Sequence, residues 1–377
     1  MSRKVCDKCD AILTYSWNRV GYNILRSLSC RGLKIVVGDT SDKNICSLSR
    51  YAYDSFVYPD PFFNEDRFIE ILLEKIRLYN PNILIPTHDE GMIIAKHRNR
   101  FPDNLIIPID EYDNLNRLSD KYIATLKALE LGIPIPKIIN RNEVVKFPVV
   151  FKTRFGNSAK GVFFPANQIE LDLLKDKYKE DIAFIQEKVG GIDHSVDCIR
   201  FGDFFYATIY RAIVTKTHGG GTTTQRIIVD IPIMIQYARK ILDNVNYKGV
   251  CGLDFKYDPQ TGDLAFIEVN ARYTGGLATP IIAGFDIPYI HYSLAVNGKY
   301  EEKINLRIGT KTKWILGDFI TLIERIMTFT LNWTDVKSIF NFSFDGYDDF
   351  FSDDKKAFWG ECRYYLMKLV RNRKLNP

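Results

Sequence analysis

Apolar and polar positions divide the chain into segments of different period. Residues 11–15 form a short apolar run that predicts a strand. Residues 21–28 carry helical spacing, and residues 32–39 (Gly-Leu-Lys-Ile-Val-Val-Gly-Asp) predict a second, buried strand ending in an acid. A helix over 65–79 and a strand over 83–86 continue the alternation. This order predicts a parallel sheet with right-handed crossovers. The turn after the first strand, Ser16-Trp17-Asn18-Arg19-Val20-Gly21, holds a single glycine. It lacks the GxGxxG fingerprint, which argues against a nicotinamide dehydrogenase. His88 and Asp89 fall just past the strand over 83–86, where open α/β sheets place their ligands; the other role open to them is to cap the helix beginning near Gly91.

The pattern changes after residue 115. Ser119-Asp120-Lys121 carries a capping residue and starts a helix that runs to Gly132. A strand follows over 147–152, then a small, polar, glycine-bearing loop between basic groups, from Thr153 through Arg154, Gly156, Ser158, Lys160 and Gly161. Such a loop brings backbone N–H groups and cations up to a polyphosphate, although the GxxxxGK[ST] spacing is absent. The next strand, over 182–189, leads through Gly190-Gly191 to polar positions that suit an adenine edge and a ribose. Residues 217–226 contain three consecutive glycines and predict a mobile active-site loop or a close backbone approach. Beyond residue 308, segments 314–329 and 358–370 predict amphipathic helices that pack on their own domain, separated by an acidic, aromatic stretch over 345–354.

The sharpest chemical signal lies between residues 250 and 279. Strand-like runs over 250–257 and 264–269 flank the turn sequence Asp258-Pro259-Gln260-Thr261-Gly262-Asp263. A hairpin of this kind sets Asp254 beside Glu268 and projects Asn270 from the same face as Glu268. Two carboxylates and an amide oxygen, with no Cys or His nearby, are hard ligands suited to Mg²⁺, which completes its shell with substrate phosphates. Arg272 adds positive charge where phosphate oxygens would lie.

Length and composition bound this reading without sharpening it. The 377 residues suggest two or three domains, and 46% apolar with 26% charged residues is ordinary for a soluble enzyme. A net charge of +5 permits anionic substrates and gives no argument for nucleic acid. No apolar run is long enough to span a bilayer, the first residues lack a signal-peptide pattern, and seven scattered cysteines fit a reducing cytoplasm. Cys6 and Cys9 form a CxxC without a second ligand pair, which reads as incidental thiols.

The order of these pieces resembles the ATP-grasp superfamily, and within it the ATP-binding half of carbamoyl-phosphate synthase large chains and related carboxylate–amine ligases. The resemblance spans roughly residues 11–300, and Ile267-Glu268-Val269-Asn270-Ala271-Arg272 is its most specific run. It implies an α/β protein with a Rossmann-like domain over 1–115, a small ATP-grasp lobe over 116–185, a large lobe with the metal site over 186–305 and a helical C-terminal extension over 306–377. By this match Lys121 and Lys152 contact nucleotide phosphates, and Arg154, Gly156, Ser158, Lys160 and Gly161 belong to the loop closing over them. Gln186, Glu187 and Val189 meet the adenine, and Asp193 stands where the family usually has a ribose-binding glutamate. Asp254, Glu268 and Asn270 fall on the metal ligands and Arg272 on the transition-state arginine, with Arg211 a candidate on the acceptor side. The implied cofactors are ATP and two Mg²⁺ ions, replaceable by Mn²⁺. The implied reaction activates a carboxylate as an acyl phosphate for capture by an amine or another nucleophile. Phosphorylation of bicarbonate or carbamate, and a nucleotide-binding regulator without turnover, are the alternatives. Small-molecule substrates, no nucleic acid and a homodimer through the first domain complete the expectation.

Overall fold

A computed structural model describes residues 8–156, 161–217 and 220–372. The first unit alternates β1 (Ala11–Leu13), α1 (Arg19–Ser29), β2 (Ile35–Asp39), β3 (Ala52–Val57), α2 (Glu65–Tyr79), β4 (Ile83–Ile85) and α3 (Glu90–Lys96). Its strands form a parallel sheet in the order β3-β2-β1-β4. The fully buried strands β1, β2 and β4 explain why the sequence there is continuously apolar rather than alternating. Asn18 caps α1 by accepting from the N–H groups of Val20 and Gly21, which fixes the turn carrying Trp17 and Arg19 at the C-terminal edge of this sheet.

Two short helices follow, α4 (Tyr112–Ser119) and α5 (Lys121–Glu130). Asp120 ends the first and caps the second, accepting from Tyr122 and Ile123. A second sheet comprises β5 (Ile138–Ile139), β6 (Val149–Thr153), β7 (Val162–Phe163) and, after α6 (Gln168–Lys177), β8 (Ala183–Glu187), in the order β5-β8-β6-β7. Its core includes Val149, Phe151, Ile185 and Leu171.

The largest sheet is mostly antiparallel. It contains β9 (Ile192–Phe201), β10 (Phe204–Thr217), β11 (Gly220–Val229), then, after α7 (Pro232–Asn244), β12 (Gly249–Tyr257) and β13 (Leu264–Asn270). Helices α8 (Ala278–Ala283) and α9 (Ile287–Asn297) follow. The tail holds β14 (Lys311–Lys313), α10 (Ile315–Met327), α11 (Trp333–Ile339), β15 (Gly346–Tyr347) and α12 (Lys355–Asn372). It is more than a helical extension, because β14 and β15 complete the sheet in the order β13-β12-β9-β10-β11-β14-β15. The expected mobile loop over 217–226 is also corrected: residues 220–226 lie in β11 and pair with β10 through a ladder with register shifts, so backbone pairing overrides the flexibility of the glycines.

One apolar core joins β1, β2 and α1 to α9 and to Ile199 and Val250 of the large sheet, while α4, α5 and α7 cover another part of that sheet. These shared cores hold the first unit firmly against the large sheet. Among the described residues no helix is long and apolar enough to cross a membrane.

Candidate active site

The β12–β13 ladder places Asp254 directly opposite Glu268, with a register shift immediately after Asp254. Asn270 lies close by: its side-chain nitrogen donates to Asp254 Oδ2 at 2.9 Å, and its oxygen accepts from Arg272 at 3.1 Å. Burial first, then the Glu268 charge, pushes the Asp254 carboxyl up to about 8. Two carboxylates pressed together in this way are a site short of positive charge. Among the described residues no cluster of three or more His, Cys, Asp or Glu side chains forms a metal cage. A pair of carboxylates with one amide oxygen instead suits a cation that keeps room for phosphate oxygens. The donor set therefore fits Mg²⁺.

Two lysines face this hairpin from separate elements. Lys121, the first residue of α5, lies 3.5 Å from Glu268 and donates to the carbonyl of Gly156. Lys152 of β6 is buried, and desolvation lowers its ammonium pKa to about 8; Glu268 pulls the value up, while Lys121 and Lys256 push it down. An anion arriving here restores the lysine charge. Gln186, only 1% exposed, donates to the carbonyl of Pro136, and its Oε1 has no partner among the described residues. Such an orphaned acceptor beside a cavity suits an exocyclic amino group. Asp193 pairs with Lys256 at 2.7 Å.

All these groups line one cavity of about 960 Å³, together with Gly156, Glu187, Val189 and Arg272. Arg154 and Gly161, expected to close over phosphates, are not among its lining residues. The Arg154 guanidinium is held by Asp120, with contacts of 3.0 and 3.1 Å from Nε, which turns the side chain toward the cap of α5. Ser158 and Lys160 lie outside the described residues. Arg211 is likewise not on the cavity wall, whereas its neighbour Tyr210 is, as the alternation of β10 requires.

The cavity continues beyond the hairpin to His88, which the sequence placed at the ligand end of a parallel strand, and to Tyr15, Trp17, Arg19, Trp314 and Tyr365, which its pattern did not single out. Arg272 donates to Asp89 at 2.6 Å, His88 lies 3.5 Å from Asp89, and the His88 ring stacks on Tyr15 at 5.0 Å. Asp89 precedes α3 but makes no side-chain capping bond, so its pairing with Arg272 replaces the capping role. Tyr15 adjoins Trp17 at 5.8 Å, and Trp17 packs with Tyr364 and Tyr365 of α12. Arg19 lies over Trp314, 3.7 Å from the ring centroid, and bonds Asp348, which also receives Arg226. The close approach of Tyr210 leaves no room for a Cβ at Gly276. That conflict gives Gly276 a physical reason, and at Gly275 a Cβ would crowd Arg19 at 3.1 Å.

A family profile described as "ATP-grasp in the biosynthetic pathway with Ter operon" matches residues 180–316. No curated protein sequence matches the chain. Biotin carboxylase from Campylobacter jejuni, solved as an ATP-analogue complex, is similar in structure at a TM-score of 0.66 and 15% identity, covering 81% of this chain and 74% of that one. N5-carboxyaminoimidazole ribonucleotide synthetase, solved with ADP, gives 0.65 at 16% identity over 87% of both chains. An L-amino acid ligase from Bacillus licheniformis gives 0.64 at 14% identity, over 81% of this chain and 79% of that one. The chain is built on the ATP-grasp fold, and residues 180–316 carry its family signature.

Proposed function

We propose that the protein is an ATP- and Mg²⁺-dependent ligase that activates a carboxylate as an acyl phosphate and joins it to an amine. The observation that carries this reading is the convergence of Asp254, Glu268, Asn270, Lys121, Lys152 and Arg272 on one cavity wall. Gln186, Glu187 and Val189 hold the adenine end, and Asp193 exchanges its Lys256 contact for a ribose hydroxyl. Lys121 and Lys152 bind and orient the phosphates. Asp254, Glu268 and the Asn270 oxygen hold Mg²⁺, which supplies charge neutralisation to the phosphate oxygens.

In the first step a substrate carboxylate oxygen bonds to the γ-phosphorus while the bond to the ADP oxygen breaks. Arg272, fixed by Asp89 and Asn270, stabilises charge developing on the transferring group. In the second step the amine nitrogen bonds to the acyl carbon, the acyl carbon–oxygen bond to phosphate breaks, and the proton lost from nitrogen leaves with the phosphate. The protein contributes positioning, charge and exclusion of water. A bicarbonate-phosphorylating variant of this chemistry is favoured by one observation, the structural likeness to biotin carboxylase.

The test is ADP release from Mg·ATP against pools of amino acids, small carboxylic acids and bicarbonate, with Glu268→Gln as the blank. Release that depends on a carboxylic acid and an amine supports the ligase. Release with bicarbonate alone selects the second reading, and nucleotide binding without stimulated release under any condition removes both.

A further inference from the structure

Beyond the hairpin, the cavity has a wall that the ligase reading leaves without a ligand. Its aromatic part is Tyr15, Trp17, Trp314 and Tyr365. These side chains form one packed cluster drawn from three distant parts of the chain, namely the end of β1, the start of α10 and the middle of α12. Its cationic part is Arg19, Lys216 and Arg226, all buried and all on the cavity wall. Arg19 and Arg226 share the carboxylate of Asp348, and Asp349 and Glu361 act on Arg19 and Asp197 on Arg226, so the acids of the fold offset their charge.

Two hydrogen-bond donors on this wall have no acceptor among the described residues. They are the indole N–H of Trp314, a residue 1% exposed, and the Nε–H of Arg226. Buried donors left unpaired are costly, and an oxygen acceptor on a bound molecule satisfies them. The aromatic wall calls for a different complement: one face each of Trp17, Trp314 and Tyr15 is taken by Tyr364, Arg19 and His88, and the remaining edges and faces suit a ligand ring in edge-to-face or offset contact.

We propose that this arm of the cavity binds the carboxylate substrate and that the substrate is an aromatic acid. Trp17, Trp314 and Tyr365 set this specificity by holding its ring. The inference rests on the ligase reading for the identity of the reacting carboxylate, and extends it from "a carboxylic acid" to one chemical class. Contacts from Arg272 through Asp89, His88 and Tyr15 to Trp17 connect the phosphoryl-transfer arginine to this arm. An aromatic acid seated there has its ring against the cluster and its carboxylate directed toward Arg272. The strand residues Gly221, Thr222 and Thr223 border the same cavity and limit the size of the acid.

Calorimetric titration of the full chain tests this with acids matched in size and differing in aromaticity. The pairs are benzoate against cyclohexanecarboxylate and phenylalanine against cyclohexylalanine, each titrated with and without saturating MgADP. The aromatic member is expected to bind about three- to tenfold more tightly. Trp17→Leu is expected to erase the difference while MgADP affinity stays at the wild-type value. Benzyl alcohol, which lacks the carboxylate, is expected to bind at least about tenfold more weakly than benzoate. Equal or tighter binding of the saturated acids, or no binding of any acid, overturns the inference, and the wild-type comparison decides this even if the variant fails to fold. The MgADP titration reads the underlying ligase proposal separately: loss there fails that proposal, whereas MgADP binding without aromatic preference fails only the present one.

Discussion

At the hairpin, two carboxylates face each other, Asp254 opposite Glu268, with Lys121 3.5 Å from the second of them. Toward the chain's tail, two guanidinium groups, Arg19 and Arg226, converge on the single carboxylate of Asp348 at 3.2 and 2.7 Å. The first arrangement sets like charges against each other and raises the Asp254 pKa. The second matches opposite charges deep in the protein, with every partner nearly inaccessible. A site that awaits a cation and a polyphosphate keeps charge that only the ligand neutralises, and folding bears that cost. A joint between the first helix and the tail, 329 residues apart in sequence, satisfies its charges internally.

The contrast predicts opposite responses to deletion. Asp348→Ala leaves two buried guanidinium groups without their carboxylate and is expected to cost about 3–5 kcal/mol of folding stability, read by chemical denaturation. A loss below about 1 kcal/mol would place the anchoring of the tail elsewhere. Glu268→Gln is expected to lower ADP release by about 10²–10³-fold while leaving the denaturation midpoint equal to or above that of wild type, since it removes the repulsion on Asp254. Concurrent loss of stability would show that the hairpin carboxylates are structural and would erase the distinction between the two regions.

The two regions also differ in how far sequence alone exposed them. The hairpin was legible because its elements are local: Asp254, Glu268 and Asn270 lie within 17 positions, and strand alternation with a proline-glycine turn fixes their common face. The opening βαβ order was legible for the same reason, and the helix expected over 65–79 coincides with α2. The aromatic and cationic arm was not legible, because Trp17, Trp314 and Tyr365 meet only through tertiary packing. Strands β14 and β15 span three and two residues, too short for any periodic signal to mark them. The glycine-rich segment misled for another reason: conformational freedom in the sequence says nothing about the partner strand that removes it.

A pH titration probes the unmatched charge more gently. In the free protein Asp254 stays protonated to about pH 8, so folded chains hold a proton that unfolded chains release from about pH 4 upward. Stability without ligand is therefore expected to fall as pH rises across that window. Mg²⁺ binding needs the ionised carboxylate, so affinity for Mg·ADP is expected to rise by up to about tenfold per pH unit between pH 6 and 8, then level off. Above pH 8 the buried Lys152 loses its charge and weakens phosphate binding, which turns the levelling into a decline. Asp254→Asn is expected to flatten the rising limb. A slope that survives this substitution would assign the proton to another group.

The smallest effect concerns Asp193, whose 2.7 Å pairing with Lys256 sits between the two regimes. It is a matched pair like Asp348 and its arginines, yet its side chain is about one-third exposed and borders the cavity. An ion pair of that exposure contributes about 0–1 kcal/mol, so opening it to accept a ribose hydroxyl costs little. If it does so, the wild-type protein is expected to bind ADP about five- to tenfold more tightly than an analogue lacking the ribose hydroxyls, the worth of one hydrogen bond to a charged acceptor less the cost of opening the ion pair. Asp193→Ala is expected to remove that preference and leave stability within about 0.5 kcal/mol of wild type. Preference retained in the variant would keep Asp193 with Lys256 and move ribose recognition to another residue. Loss of stability instead would class this pair with the buried joint, and the division between ligand-neutralised and self-neutralised charge would then have to be drawn inside the cavity itself.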